Sequence, residues 1–104
     1  MADVNAVIEQ MKNKFNSDAA AGMNEVFQFD IEDGDHYYIQ VSDGTCTIEQ
    51  GEHDDPSVTL IMSSQTLKDV MSGETDGMQA FMAGKLRAEG DMMLATKLSA
   101  LFPV

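Results

Sequence analysis

Two Asp-Gly dipeptides set between alternating runs limit this chain more than any other feature. Asp33-Gly34 and Asp43-Gly44 separate three stretches in which apolar and polar residues take turns. Phe27, Phe29 and Ile31 alternate with Gln28, Asp30 and Glu32. Tyr37, Ile39 and Val41 alternate with Tyr38, Gln40 and Ser42, and Cys46 and Ile48 with Thr47 and Glu49. Strand side chains point to opposite faces with period two, so each run has one apolar and one polar face. Asp-Gly supplies the positive φ of a tight hairpin. The pattern predicts a three-stranded antiparallel meander, with Gly34 and Gly44 both at positive φ. Its apolar face needs a cover from elsewhere in the chain.

Helical periodicity supplies that cover. Val4, Val7, Ile8, Met11 and Phe15 form one stripe behind Asp3, a candidate N-cap. After the polar loop 50–56, SVTLIMS reads as a fourth strand. It is apolar on both faces around Leu60, Ile61 and Met62, which places it inside the sheet. Ser63 or Ser64 caps a short helix bearing Leu67, Val70 and Met71, ended by Gly73. Asp76 with Gln79 starts another helix with Met78, Phe81 and Met82, stopped by Gly84. KLRAEG is a fifth strand, and Asp91 caps a last helix with Leu94, Leu98 and Leu101 in register. The expected fold class is α+β: a five-stranded, mainly antiparallel sheet with one face covered by helices.

Size and charge narrow the function. With 104 residues the chain can build one core, so residues 1–104 are read as a single domain. Its 18 acidic and 6 basic residues give a net charge of −12, which repels phosphate backbones and anionic headgroups. Nucleic-acid binding is disfavoured on this ground and none is expected, and membrane binding is expected to be weak or absent. Lys12 and Lys14 are the neighbouring cations that could meet a headgroup. A single Cys forbids an internal disulfide, and MADVNAVIEQ lacks the build of a signal peptide, so a cytoplasmic location is expected.

Catalytic signatures are sparse. Glu52, His53, Asp54 and Asp55 are consecutive and cannot converge on one ion, so they read as a solvated acidic loop rather than a metal site. Cys46 sits on an apolar strand face, where a small buried thiol is the ordinary outcome. Only the fold could bring it to His36 or His53. Gly73, Gly77, Gly84 and Gly90 lack nucleotide-loop spacing. Lys85 and Arg87 read as outward surface charge on the fifth strand, or as a small positive spot near a headgroup. No enzyme activity and no cofactor are expected.

Methionine is the residue in excess. Met62, Met71, Met78, Met82, Met92 and Met93 fall in the second half, among Leu and Phe. Met re-packs easily, so this composition suits either an irregular core or an adaptable apolar cavity. The stretch FDIEDGDHYYIQVSDGTCTIEQG, and then DPSVTLIMSSQTLKDVMSGETDGMQAFMAGKLRAEGDMMLATKLSALF, resembles the sterol carrier protein 2 domain over about residues 24–102. AFMAGKLRAEGDMMLATKL is the most specific part. The resemblance implies an apolar tunnel between sheet and helices that binds and transfers a lipid: a fatty acid, acyl-CoA, sterol or phospholipid. It also implies an alternative, an accessory module holding a lipophilic substrate such as a quinone precursor for a partner enzyme. Met71, Met78, Phe81, Met82, Met93, Leu94, Leu98 and Leu101 are then the expected ligand-binding residues.

Overall fold

The computed structural model describes residues 4–102. Helix α1 spans Val4–Lys14 and strands β1–β3 span Asn24–Ile31, Tyr37–Ser42 and Thr45–Gln50. Strand β4 spans Val58–Met62, and helices α2 and α3 span Ser64–Ser72 and Gly77–Met82. Strand β5, Leu86–Gly90, and helix α4, Met92–Leu101, complete the order. Asp3, the expected cap of α1, lies outside the described residues.

The strands form one sheet in the order β3-β2-β1-β4-β5. The β1–β2, β2–β3 and β4–β5 pairs are antiparallel, and β1 runs parallel to β4. The sheet is therefore mixed. The meander occupies one side of β1, and the chain crosses back so that β4 takes the other. Strand β4 lies between β1 and β5, where an apolar run on both faces belongs.

Register places Phe27, Phe29 and Ile31 beside Ile39, Tyr37, Val58, Leu60 and Met62 on one face. All of these are buried, and Val7, Ile8 and Met11 of α1 and Leu67 of α2 join them in one core. The caps follow the sequence. Ser63 Oγ accepts the Thr66 N–H at 3.2 Å, and Gly73 ends α2 at φ 84°. Lys14 reaches from α1 to donate to the Met71 carbonyl at 3.1 Å, a positive charge at the exposed carbonyl end of α2.

One turn departs from expectation. Asp43 and Gly44 have φ of 43° and 85°, the pair of positive values a two-residue hairpin turn requires. Gly34 is not at positive φ. The connection from Glu32 to His36 is longer than a two-residue turn, so its closure does not depend on a left-handed residue there.

Candidate functional site

The core does not fill the space between sheet and helices. A cavity of about 570 Å³ lies between β1, β4 and β5 on one side and α2, α3 and α4 on the other. Phe29, Leu60, Met62, Leu86 and Ala88 form the sheet wall. Leu67, Val70 and Met71 of α2, Ala95 and Leu98 of α4, and Phe102 form the helix wall. Phe102 is buried and its ring is backed by Phe15, with centroids 5.7 Å apart. Met78 and Phe81 of α3 line the cavity and are also 55% and 42% exposed, so the cavity meets solvent beside α3. The volume falls in the range of ligand pockets, roughly 300–1,000 Å³.

The mouth is built from short, sharply ended pieces. Gly73, Thr75, Asp76 and Gly77 link α2 to α3 along the rim. Asp76 Oδ1 caps α3 by accepting the Met78 N–H at 3.1 Å. Gly84, at φ 78°, turns the chain from α3 into β5, with the Lys85 N–H reaching back to the Ala80 carbonyl at 2.9 Å. Ala80 is the buried residue of α3, while Met78 and Phe81 stand at the mouth and Met82 faces solvent.

Four of the expected ligand-binding residues line the cavity: Met71, Met78, Phe81 and Leu98. Met82, Met93, Leu94 and Leu101 do not. Met82 and Met93 are 79% and 71% exposed, while Leu94 and Leu101 are buried in the core. The cause is helical phase. Positions 95, 98 and 102 form the stripe of the last helix that faces the cavity, whereas Leu94 and Leu101 lie on the adjoining stripe that faces the core. The expected set also omitted the sheet wall. Phe29, Leu60 and Ala88 look like ordinary core residues in the sequence, and only the missing filler above them makes them lining.

The other candidate chemistry sits on the opposite face of the sheet. Asp30, which alternates with Phe29, points away from the cavity. It lies 3.3 Å from His36 Nδ1, and Glu52 lies 3.1 Å from the same nitrogen. Asp30, His36 and Glu52 bring ligand atoms within 4.8 Å of one another, so among the described residues this trio could hold a metal ion. The imidazole that gathers carboxylates is thus His36 rather than His53. His53 meets the Tyr38 ring edge-on and its Nδ1 accepts the Asp55 N–H at 3.0 Å. Beneath them, buried Gln28 donates to the Tyr37 and Gly51 carbonyls and accepts the His53 N–H at 2.8 Å. The loop after β3 is therefore folded onto β1 rather than solvated along its length.

Cys46 lies opposite Val41 on the helix-covered face and packs against the core. Among the described residues it makes no hydrogen bond to a histidine. Burial pushes its thiol pKa up, partly countered by Lys12, which disfavours the thiolate a nucleophile needs. Tyr38 Oη donates to Glu49 at 2.7 Å, and that bond raises the phenol's pKa. Arg87 pairs with Glu32 at 3.6 Å on the outer surface.

The fold is thus an α+β domain with an apolar cavity whose polar lining side chains, Thr75 and Asp76, sit at its rim. The comparisons with known proteins agree. Residues 4–103 match the SCP-2 sterol transfer family, and the chain belongs to that family. It is 32% identical over 94 residues to Hydroxysteroid dehydrogenase-like protein 2 of Bos taurus, covering 88% of this chain and 22% of that protein. The chain thus spans under a quarter of that relative's length. Palmitated SCP2L2 from Aedes aegypti superposes with a TM-score of 0.80 at 22% identity, covering 100% of this chain and 96% of that one. The UbiJ-SCP2 Ubiquinone synthesis protein gives a TM-score of 0.72 at 14% identity, over 94% and 90% of the two chains. At these identities the two structures establish the fold. No described helix is long and apolar enough to cross a membrane.

Proposed function

We propose that this domain binds a lipid in the cavity between sheet and helices and carries it without catalysing a reaction. The observation that carries the reading is the apolar space of about 570 Å³ with an exposed mouth at Met78 and Phe81. Each methylene transferred from water to such a wall gains about 0.8 kcal/mol, so a chain of roughly ten offsets the cost of immobilising the ligand. Met71, Met78, Phe81 and Leu98 are the proposed ligand contacts, with Met82 and Met93 outside the lining. A relative of the same fold is described in a palmitated form, which supports an acyl chain as one occupant.

Native mass spectrometry after gentle purification tests the reading. Co-purified lipid, or uptake of either a fluorescent fatty acid or the neutral dye Nile red, is expected. Protein that stays ligand-free and takes up neither probe would overturn it.

A second reading has its own observation. Met78 and Phe81 are exposed at the mouth and Met82 is exposed on the same short helix, an apolar surface a partner enzyme could cover while drawing on the cavity. A fold relative described as a ubiquinone synthesis protein, and a dehydrogenase-like relative of which the matching segment is 22%, favour presentation to a partner. The net charge of −12 suits a basic partner and makes anionic vesicles a poor target. A pull-down whose yield falls steeply with salt supports presentation, and salt-sensitive binding to phosphatidylserine vesicles counts against it.

A further inference from the structure

The rim carries chemistry that bears on which headgroup the cavity accepts, an inference that rests on the lipid-binding reading above. The polar side chains of the lining, Thr75 and Asp76, both belong to the connection between α2 and α3. Among the described residues Asp76 is the charged group in the lining, and no Lys, Arg or His joins it. Arg87 pairs with Glu32, while Lys14, which donates to the Met71 carbonyl, and Lys85, just before β5, lie outside the lining.

An amphiphile that buries its tail in this cavity leaves its head at the rim. An anionic head would meet the Asp76 carboxylate with no lining cation to pair it, and the overall charge of −12 has the same sign. The Met78 N–H at the start of α3 is already taken, because Asp76 Oδ1 accepts it at 3.1 Å. Asp76 is exposed, so water screens the repulsion without abolishing it. A hydroxyl head behaves in the opposite way. It can donate to Asp76 Oδ2, a charge-assisted bond stronger than a neutral one. We propose that Asp76 is a specificity-determining residue: the cavity favours lipids with an uncharged hydroxyl head over lipids with an anionic head.

Displacement of Nile red by 1-dodecanol and by dodecanoate at pH 8, each kept below its aggregation limit, provides the measurement. An apolar wall alone favours the alcohol, so the diagnostic quantity is how substitutions change the ratio of the two affinities. Asp76→Asn removes the charge and keeps an equally good N-cap. It should raise dodecanoate affinity about fivefold while dodecanol is unchanged or weakened. Asp76→Ser likewise removes the charge and keeps a capping hydroxyl, so it should move the ratio the same way and decides the matter if Asp76→Asn fails to fold. Glu74→Gln removes an exposed charge next to the lining and should leave the ratio unchanged. A ratio identical in the parent, Asp76→Asn and Asp76→Ser proteins overturns the selectivity and leaves lipid binding standing. An equal shift from Glu74→Gln assigns the effect to general surface charge and overturns the role of Asp76. Nile red that neither binds nor is displaced overturns the lipid-binding reading and this inference with it.

Discussion

Asp33 grips Ser64 with both carboxylate oxygens: Oδ1 accepts the Ser64 main-chain N–H and Oδ2 accepts its hydroxyl, each at 2.7 Å. The bonds tie the loop after β1 to the first turn of α2, and Ser64 itself is buried. The Ser64 N–H, and after it the hydroxyl, hold the Asp33 pKa below its ordinary 3.8. A carboxyl depressed in the folded state stabilises the fold above its unfolded value and ceases to do so as pH falls through its folded value. Asp33→Ala should therefore lower Tm at pH 7, and the gap from the parent should close as pH drops below 3.8. Thermal melts at several pH values check this. A gap unchanged at the acid end would show that the carboxylate charge plays no part.

The two Asp-Gly turns should respond differently to a bulky side chain. Gly44→Val forces a β-branched residue to φ 85° and should cost more than the ~1 kcal/mol of a simple glycine replacement. A Cβ there would sit 3.7 Å from the Ser17 carbonyl oxygen, an ordinary contact, so backbone strain sets the cost. Gly34→Val carries no positive-φ penalty and should destabilise less. Denaturant melts of the two variants compare them, and equal losses would contradict the difference between the turns.

Gly90 is a more demanding glycine than Gly44. It ends β5 at φ 101°, opposite Val58, and a Cβ would lie 2.8 Å from the Ser57 carbonyl oxygen and 3.2 Å from Val58 Cα. Both neighbours are backbone, one just before β4 and one at its first residue, and cannot swing aside. The Ser57 oxygen also accepts the Asp91 N–H at 3.0 Å, and Asp91 caps α4. Gly90→Ala should cost about 2–5 kcal/mol, strain and overpacking together, more than Gly44→Ala. It should also loosen α4 as a cavity wall, read as weaker Nile red retention. A Tm equal to the parent's would contradict the close approach.

Local pattern carries much of this architecture. Alternation at Phe27–Ile31 and Tyr37–Val41 locates the meander, and Ser63, Asp76 and Asp91 mark their helix starts, because each signal lies within a few residues of its effect. What lies between distant elements is less legible. The parallel β1–β4 pairing depends on where a loop lands, and no residue in either strand encodes it. Gln28 reads as a solvent-facing strand residue, yet it is buried because the loop at Gly51–His53 folds over it. His36 and Asp30 meet Glu52 through the same fold-back. The cavity is an absence of side chains, and the sequence marks only what could surround it. An apolar stripe on α4 does not say whether Leu94 or Ala95 meets the void, since these neighbours differ by 100° of helix rotation.

Leu98 separates a filled core from an open cavity. It is half-buried on α4, packs against the core cluster and lines the space of about 570 Å³. In a solid interior, replacing it by Trp would overpack the site and cost typically about 1–3 kcal/mol. Here the indole can extend into the void toward Phe29 and Leu60, regaining dispersion contacts that an unfilled wall lacks. Stability of Leu98→Trp should stay within about 1 kcal/mol of the parent or rise, as cavity filling allows. The same indole would take up ligand volume, so uptake of Nile red should fall. Leu101→Trp is the matched control. Leu101 is fully buried in the core and outside the lining, so this variant should lose stability. Melting curves and dye titrations on the two proteins provide the comparison. Strong destabilisation of Leu98→Trp, with full dye capacity retained, would mean that ligand enters elsewhere.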